Sequence, residues 1–227
     1  MIGRSLSLLV VCLTVGVIMM SGCGKGAAKP EKTEKGAVPT EKPQAKESKE
    51  TAMETVLSER FLDRDPDVRR GVIRYIRDIK EIRKTATISS GTLTILVKAL
   101  GDRDLGVATE AKEIIVRIGL SDEEADVLNM VETLIEEGLV SNHETLSGQA
   151  SQCLVEIGEL SVGCLIKALN TDKKQTRRKT QDCLKKIGDP ALDALRKARE
   201  KGSPQVSLSA AEVIFQLEDD PNQKTKK

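Results

Sequence analysis

The sequence predicts an all-α domain built from stacked helix pairs, and three observations carry that expectation. First, LTILVKALGDRDLGVATEAKEIIVRIG (Leu93 to Gly119) aligns without a gap on VGCLIKALNTDKKQTRRKTQDCLKKIG (Val162 to Gly188). The two share a Leu-Val/Ile-Lys-Ala-Leu core, an acidic turn and a terminal Ile-Gly, the mark of internal duplication. Second, apolar residues fall at three- and four-residue spacing, as in Leu93, Leu96, Val97 and Leu100, then Ala111, Ile114, Ile115 and Ile118. That spacing makes one face of a helix. Third, no comparable run shows the strict alternation and hairpin turns that a sheet needs.

The N-terminus is a different kind of segment. Met1 to Arg4 carries one positive charge, Ser5 to Met20 is almost wholly apolar, and the small residues Ser21 and Gly22 precede Cys23. This is the order of a secretory signal peptide, so residues 1–22 are expected to be removed. A membrane-spanning helix needs about 20 apolar residues; this run is shorter and lacks a basic stop-transfer cluster. Met20-Ser21-Gly22-Cys23 resembles the lipobox of bacterial lipoproteins, with Met where Leu is commoner. The resemblance implies that Cys23 becomes the first mature residue and carries a thioether-linked diacylglycerol and an N-acyl chain. Two or more chains hold a protein stably at a membrane, where one does not. Gly24, in place of the Asp that retains many lipoproteins in the inner membrane, implies the outer membrane of a two-membrane cell. The expected location is therefore a membrane-anchored lipoprotein facing the periplasm or the cell surface.

Residues 23–50 read as a lipidated Cys followed by a disordered tether. From Gly24 to Glu50 the only aliphatic side chain larger than Ala is Val38, and Lys alternates with Glu around Pro30, Pro39 and Pro43. Such a segment cannot bury enough surface to fold. A flexible chain of this length spans roughly 30 Å r.m.s., and about 90 Å when fully extended.

Residues 51–217 carry the helix punctuation. Asp65-Pro66, Asp189-Pro190 and Ser203-Pro204 each place a capping acceptor before a Pro at the first helical position, where no intrahelical N–H is needed. Ser121-x-x-Glu124 and Ser141-x-x-Glu144 read as capping boxes. Gly119, Gly158 and Gly188 sit where a left-handed C-terminal cap belongs. The spacing of the three Ile-Gly pairs gives a building block of about 30 to 39 residues, long enough for two helices. Residues 218–227 read as a disordered polar tail.

Taken together these residues resemble HEAT-like repeats of the short bacterial kind related to phycobilisome lyases. Five are counted, at 52–80, 91–119, 121–158, 159–188 and 189–217. The first has the most family-like turn, DRDPDVRR from Asp63 to Arg70. The second departs there, with Val107 and Ala108 where basic residues are usual, and the third is expected to have a longer interhelical loop. The resemblance implies an α-solenoid of about five helix pairs, its second helices lining a concave side.

Composition narrows the function. Lys plus Arg total 36 against 35 for Asp plus Glu, so any basic binding face must be local. Phe61, Tyr75 and Phe215 are the only aromatics, which disfavours base-stacking grooves and sugar platforms; no nucleic-acid partner is expected. Nothing resembles a nucleophile with its base, a phosphate-binding Gly loop or a zinc cluster, so no enzyme, cofactor or metal is expected. His143, the only histidine, falls by its capping box in the first turn of a helix, exposed and without ligand neighbours. Cys164 aligns with Ile95 and Cys183 with Ile114, as core fillers. Cys153 and Cys183 lie one repeat apart, about 8–10 Å, beyond the roughly 7 Å that a disulfide bridges. Cys164 with Cys183 stays geometrically possible.

The strongest candidate surface is basic. KKQTRRK, Lys173 to Lys179, with Lys185, puts Lys174, Arg177, Arg178 and Lys185 on one broad helix face; Arg70, Arg74 and Arg77 form a second stripe in the first repeat. Facing the concave side, the two stripes could clamp an acidic peptide, a phosphate head group or a polyanion. The same residues also fit a plain solvated face compensated by acidic neighbours. The expected function is a membrane-anchored helical-repeat scaffold that binds a protein or peptide partner at the cell envelope. The alternatives are an envelope spacer without a specific ligand and, on the resemblance, a lyase- or chaperone-like subunit.

Overall fold

Every described segment is helical or joins helices, with no strand among the described residues. The computed structural model of the chain describes residues 44–82 and 88–219, which belong to one unit, Lys42–Lys227. The signal peptide, Cys23 and the tether up to residue 43 lie outside the described residues, as do residues 220–227 of the tail. In chain order the helices are α1 (Gln44–Phe61), α2 (Pro66–Ile82), α3 (Ser90–Ala99), α4 (Leu105–Gly119) and α5 (Glu124–Thr133). α5 runs on as a π-helical turn, Leu134–Leu139, and is followed by α6 (Glu144–Ile157), α7 (Glu159–Ala168), α8 (Lys174–Ile187), α9 (Asp189–Lys201) and α10 (Pro204–Glu218). No helix among the described residues is long and apolar enough to cross a membrane.

α1 begins at Gln44, inside the stretch expected to be tether. Lys, Glu and Ala are good helix formers, and a helix nucleated by the packed residues beyond extends through them at little cost.

The helix ends follow the capping rules in some places and correct the expectation in others. Asp65 accepts from the Asp67 amide, and Ser203 caps α10 by accepting from the Val206 amide. Neither predicted capping box forms. α5 starts after Glu123 with no side-chain cap, a phase that buries Asp126 so that it accepts from the Ile88 amide at 3.3 Å. Ser121 is left upstream, its hydroxyl buried with no hydrogen-bond partner. At α6 the cap is His143, whose Nδ1 accepts from the Leu146 amide at 3.3 Å, while Ser141 accepts from the His143 amide. His143 therefore stands at the cap itself, not in the first turn.

The three glycines also divide. Gly158 and Gly188 have φ of 68° and 76°, a region that side chains avoid, and each alone joins two helices. Gly188 thus takes the cap position of α9, and Asp189 is its first helical residue. Gly119 is the last helical residue of α4, and its smallness answers packing: an added Cβ would meet the Ile157 side chain. The third repeat's extra length is likewise not in the loop between its helices. Between the two helices it is absorbed as the six-residue π turn, where Gly138 lets the backbone close on Ala150, and the rest lies in the link before α5.

Packing runs in two rows. α2 packs on α4, α4 on α6, α6 on α8 and α8 on α10, while α1 packs on α3, α3 on α5, α5 on α7 and α7 on α9. One apolar cluster threads both rows. Ile76, Ile115, Leu154, Leu184 and Ile214 recur at equivalent places in the even helices and are all buried. Each such side chain contributes about 1.5–3 kcal/mol of burial. Cys153, Cys164 and Cys183 are buried free thiols, so the Cys164–Cys183 bridge is not formed.

Candidate partner-binding surface

The two basic stripes sit on equivalent flanks of α2 and α8 but in different electrostatic company. α4 offers carboxylates to α2. Arg70 pairs with Asp104 through Nη2 at 2.9 Å and with Asp67 through Nη1 at 3.3 Å. Arg74 forks onto Glu110 at 3.0 and 2.7 Å, and Arg77 reaches its neighbour Asp78 at 3.1 Å. The Asp104 carboxyl is held below its ordinary range, chiefly by the Val107 amide that it caps and then by Arg70. The first stripe is thus internally neutralised and has little free positive charge for a ligand.

α8 differs: Glu212 of α10 reaches it, but is engaged by Gln181 at 2.6 Å and not by the basic residues. Lys174, Arg178 and Lys185 fall on one exposed ridge. Among the described residues none has a carboxylate within ion-pairing distance, and Asp182, one turn beyond Arg178, does not close on it. Arg177 turns off that ridge and donates from Nη1 to the Thr171 carbonyl at 2.9 Å, pinning the turn before its own helix. Lys179, which the sequence left without a role, donates from Nζ to the carbonyls of Leu139 and Ser141, both at 3.2 Å, and so satisfies the end of the π turn. Of the seven basic residues singled out in the sequence, four have no carboxylate partner among the described residues, and three of these, Lys174, Arg178 and Lys185, lie on that ridge. The two stripes lie on helices that do not pack on each other: α2 packs on α4, and α8 on α6 and α10.

Sequence reasoning passed over the strongest polar contact between repeats. Arg69 forks onto Asp102 at 2.7 and 2.8 Å and also donates to the carbonyls of Asp63 and Arg64. The pair is largely covered, with side chains 14% and 6% exposed. The signal was present: Asp-Arg-Asp occurs at 63–65 and again at 102–104. Arg177 repeats the Arg69 contact with the turn carbonyl, but Lys201 stands where a following Asp would complete the fork. That substitution helps to leave the α8 surface positive.

Among the described residues no three His, Cys, Asp or Glu side chains are grouped to hold a metal ion. Burial pushes the Cys153 thiol up to about 12 and the Cys183 thiol up to about 11, the opposite of an activated nucleophile.

No family model matches the chain, and no curated protein sequence matches it. Among solved structures it is similar to two engineered proteins from a structural genomics consortium, each 18% identical. One match has a TM-score of 0.32 and covers 76% of this chain and 82% of the other; the second has 0.30, with 71% and 78%.

Proposed function

We propose that this chain is a membrane-anchored scaffold, an α-solenoid of about five HEAT-like helix pairs held at the cell envelope by lipid on Cys23, that takes an acidic protein or peptide segment on α8. One observation carries the binding surface: Lys174, Arg178 and Lys185 share an exposed ridge without carboxylate partners among the described residues, whereas Arg70, Arg74 and Arg77 are each ion-paired. Unpaired cations on a rigid helix are available for charge-assisted hydrogen bonds, and Arg178 can take a carboxylate in a planar fork. The even-on-even and odd-on-odd packing supports the solenoid reading, because each helix pair leaves an apolar side that its neighbour covers.

The test uses the full chain and a fluorescent oligo-glutamate peptide. Lys174→Glu, Arg178→Glu and Lys185→Glu together should weaken binding at least about tenfold, roughly 1.4 kcal/mol, and remove its salt dependence. Arg74→Glu should leave binding unchanged. Equal affinity in wild type and triple variant overturns the α8 surface. Separately, Cys23→Ser should shift the protein out of the membrane fraction, and unchanged fractionation of mature protein overturns the anchor.

A further inference from the structure

We infer that the segment taken by this chain is an amphipathic acidic helix, laid along the outer seam between α8 and α10 with its carboxylates toward α8 and its apolar edge toward α10. This rests on α8 as the acid-binding surface and adds what stands beside it. Counted from the caps Lys173 and Ser203, Leu208 takes on α10 the place that Arg178 has on α8, and Phe215 the place of Lys185. Two bonds of 2.6 Å hold the helices in that register, from Gln205 to the Thr171 carbonyl and from Gln181 to Glu212. Leu208 is 64% exposed and Phe215 68%. Arg178 and Lys185 stay exposed with α10 packed alongside, so these places look out of the stack and not into an interface within it. At the same places α4 and α6 carry Thr109 and Gly148, then Val116 and Val155, all uncharged.

Two large apolar side chains in water, next to cations without carboxylate partners among the described residues, ask for a ligand with both chemistries. Packed helices lie about 8–10 Å apart, so the cationic and apolar ridges run side by side, with Gln181 and Glu212 joined in the seam between them. Lys174 to Lys185 covers about 16 Å of helix axis, and Leu208 and Phe215 stand about two turns apart. A helix of about three turns laid in the seam matches both. Carboxylates along one edge reach the α8 ridge, and apolar residues along the other cover Leu208 and Phe215. An anionic lipid surface fits less well, because Asp182 and Glu212 are exposed in the same arc. A sheet of head groups would press negative charge on both, whereas a peptide can set a neutral side chain at each.

The test titrates the full chain, held in phosphatidylcholine nanodiscs with empty discs as the blank, with two labelled peptides of equal charge. One is oligo-glutamate; the other is a helical peptide with glutamate along one edge and leucine along the other. Fluorescence anisotropy should show the amphipathic peptide binding at least about tenfold more tightly, and Leu208→Ser with Phe215→Ser should bring it down to the affinity of oligo-glutamate. Both substituted positions are exposed, so the core does not depend on them. Equal, measurable affinity of the two peptides for wild type overturns the inference while the α8 ridge stands; if neither peptide binds, the ridge falls with it. An advantage that survives both substitutions overturns the inference as well. The chain has no tryptophan, so Phe215→Trp reports from the apolar ridge alone. Its emission should move to the blue with the amphipathic peptide and not with oligo-glutamate. A shift in phosphatidylglycerol discs before any peptide is added means that lipid covers the ridge, and a shift on concentrating the protein means that a second copy does; either result overturns the inference.

Discussion

Asp102→Asn is the sharpest single perturbation of the fold. In the native chain the carboxylate receives Nε and Nη2 of Arg69 at 2.7 and 2.8 Å and the Asp104 amide at 2.8 Å. The amide side chain keeps one acceptor but loses the charge and half of the fork, leaving a covered guanidinium short of a partner. An exposed pair is worth at most about 1 kcal/mol, and breaking a fully buried one costs about 3–5. With side chains 14% and 6% exposed, this pair falls between, and Asp102→Asn should cost about 2–3 kcal/mol. Urea unfolding followed by far-UV circular dichroism measures it, with the slope unchanged. Arg69→Met should cost a similar amount and the double variant less than the sum, giving a coupling energy of at least about 1.5 kcal/mol. The pH dependence adds a sign. Burial alone would raise the Asp102 carboxyl, but the Arg69 hydrogen bond and then the Asp104 amide outweigh it and hold it below the usual range. A group depressed in the folded state stabilises fully above its unfolded value, about 3.9, and loses that contribution as pH falls through the folded value. The gap between wild type and Asp102→Asn should therefore be flat above about pH 5 and close below about pH 4. A gap under about 0.5 kcal/mol, or one unchanged down to about pH 2, refutes the reasoning.

Two further outcomes test the packing. Gly119→Ala should destabilise by about 1–2 kcal/mol despite alanine's better helix propensity, because its methyl enters the space of Ile157; adding Ile157→Val should recover part of the loss, whereas a capping role would leave that second change without benefit. Alkylation with iodoacetamide at about pH 8, read peptide by peptide, should spare Cys153 and Cys183 until the chain is unfolded, since burial leaves almost no thiolate there; rapid native labelling of either would contradict its burial.

Much of the helical outline was legible, and the misses have local causes. Proline at 66 and 204 and the Ser203 cap mark helix starts because each acts through its own backbone within one turn. Ser141 and His143 could not be ranked as caps from sequence, because either can accept and only the phase set by buried Leu146 and Ala150 decides. Gly119 looked like Gly158 and Gly188 because sequence shows the missing side chain but not whether backbone angle or a facing Ile157 requires it. The π turn was invisible for the same reason: an extra residue can lengthen a loop or widen a helix, and Gly138 against Ala150 is a tertiary fact. At the basic surface, the kind of residue was readable but its company was not. Arg74 and Arg178 are alike until α4 supplies Glu110 to one, while no acid among the described residues pairs with the other.

The single-glycine joints at Gly158 and Gly188 give the described chain an uneven mechanical character. A joint of one residue has only two soft torsions, and here both sit in a narrow basin that glycine alone occupies. α7 is therefore fixed in angle to α6, and α9 to α8, while Leu120–Glu123 gives the link from α4 to α5 several torsions to share a displacement. The angle within each of those two pairs is thus set at a single backbone position, whereas four residues share the turn between α4 and α5.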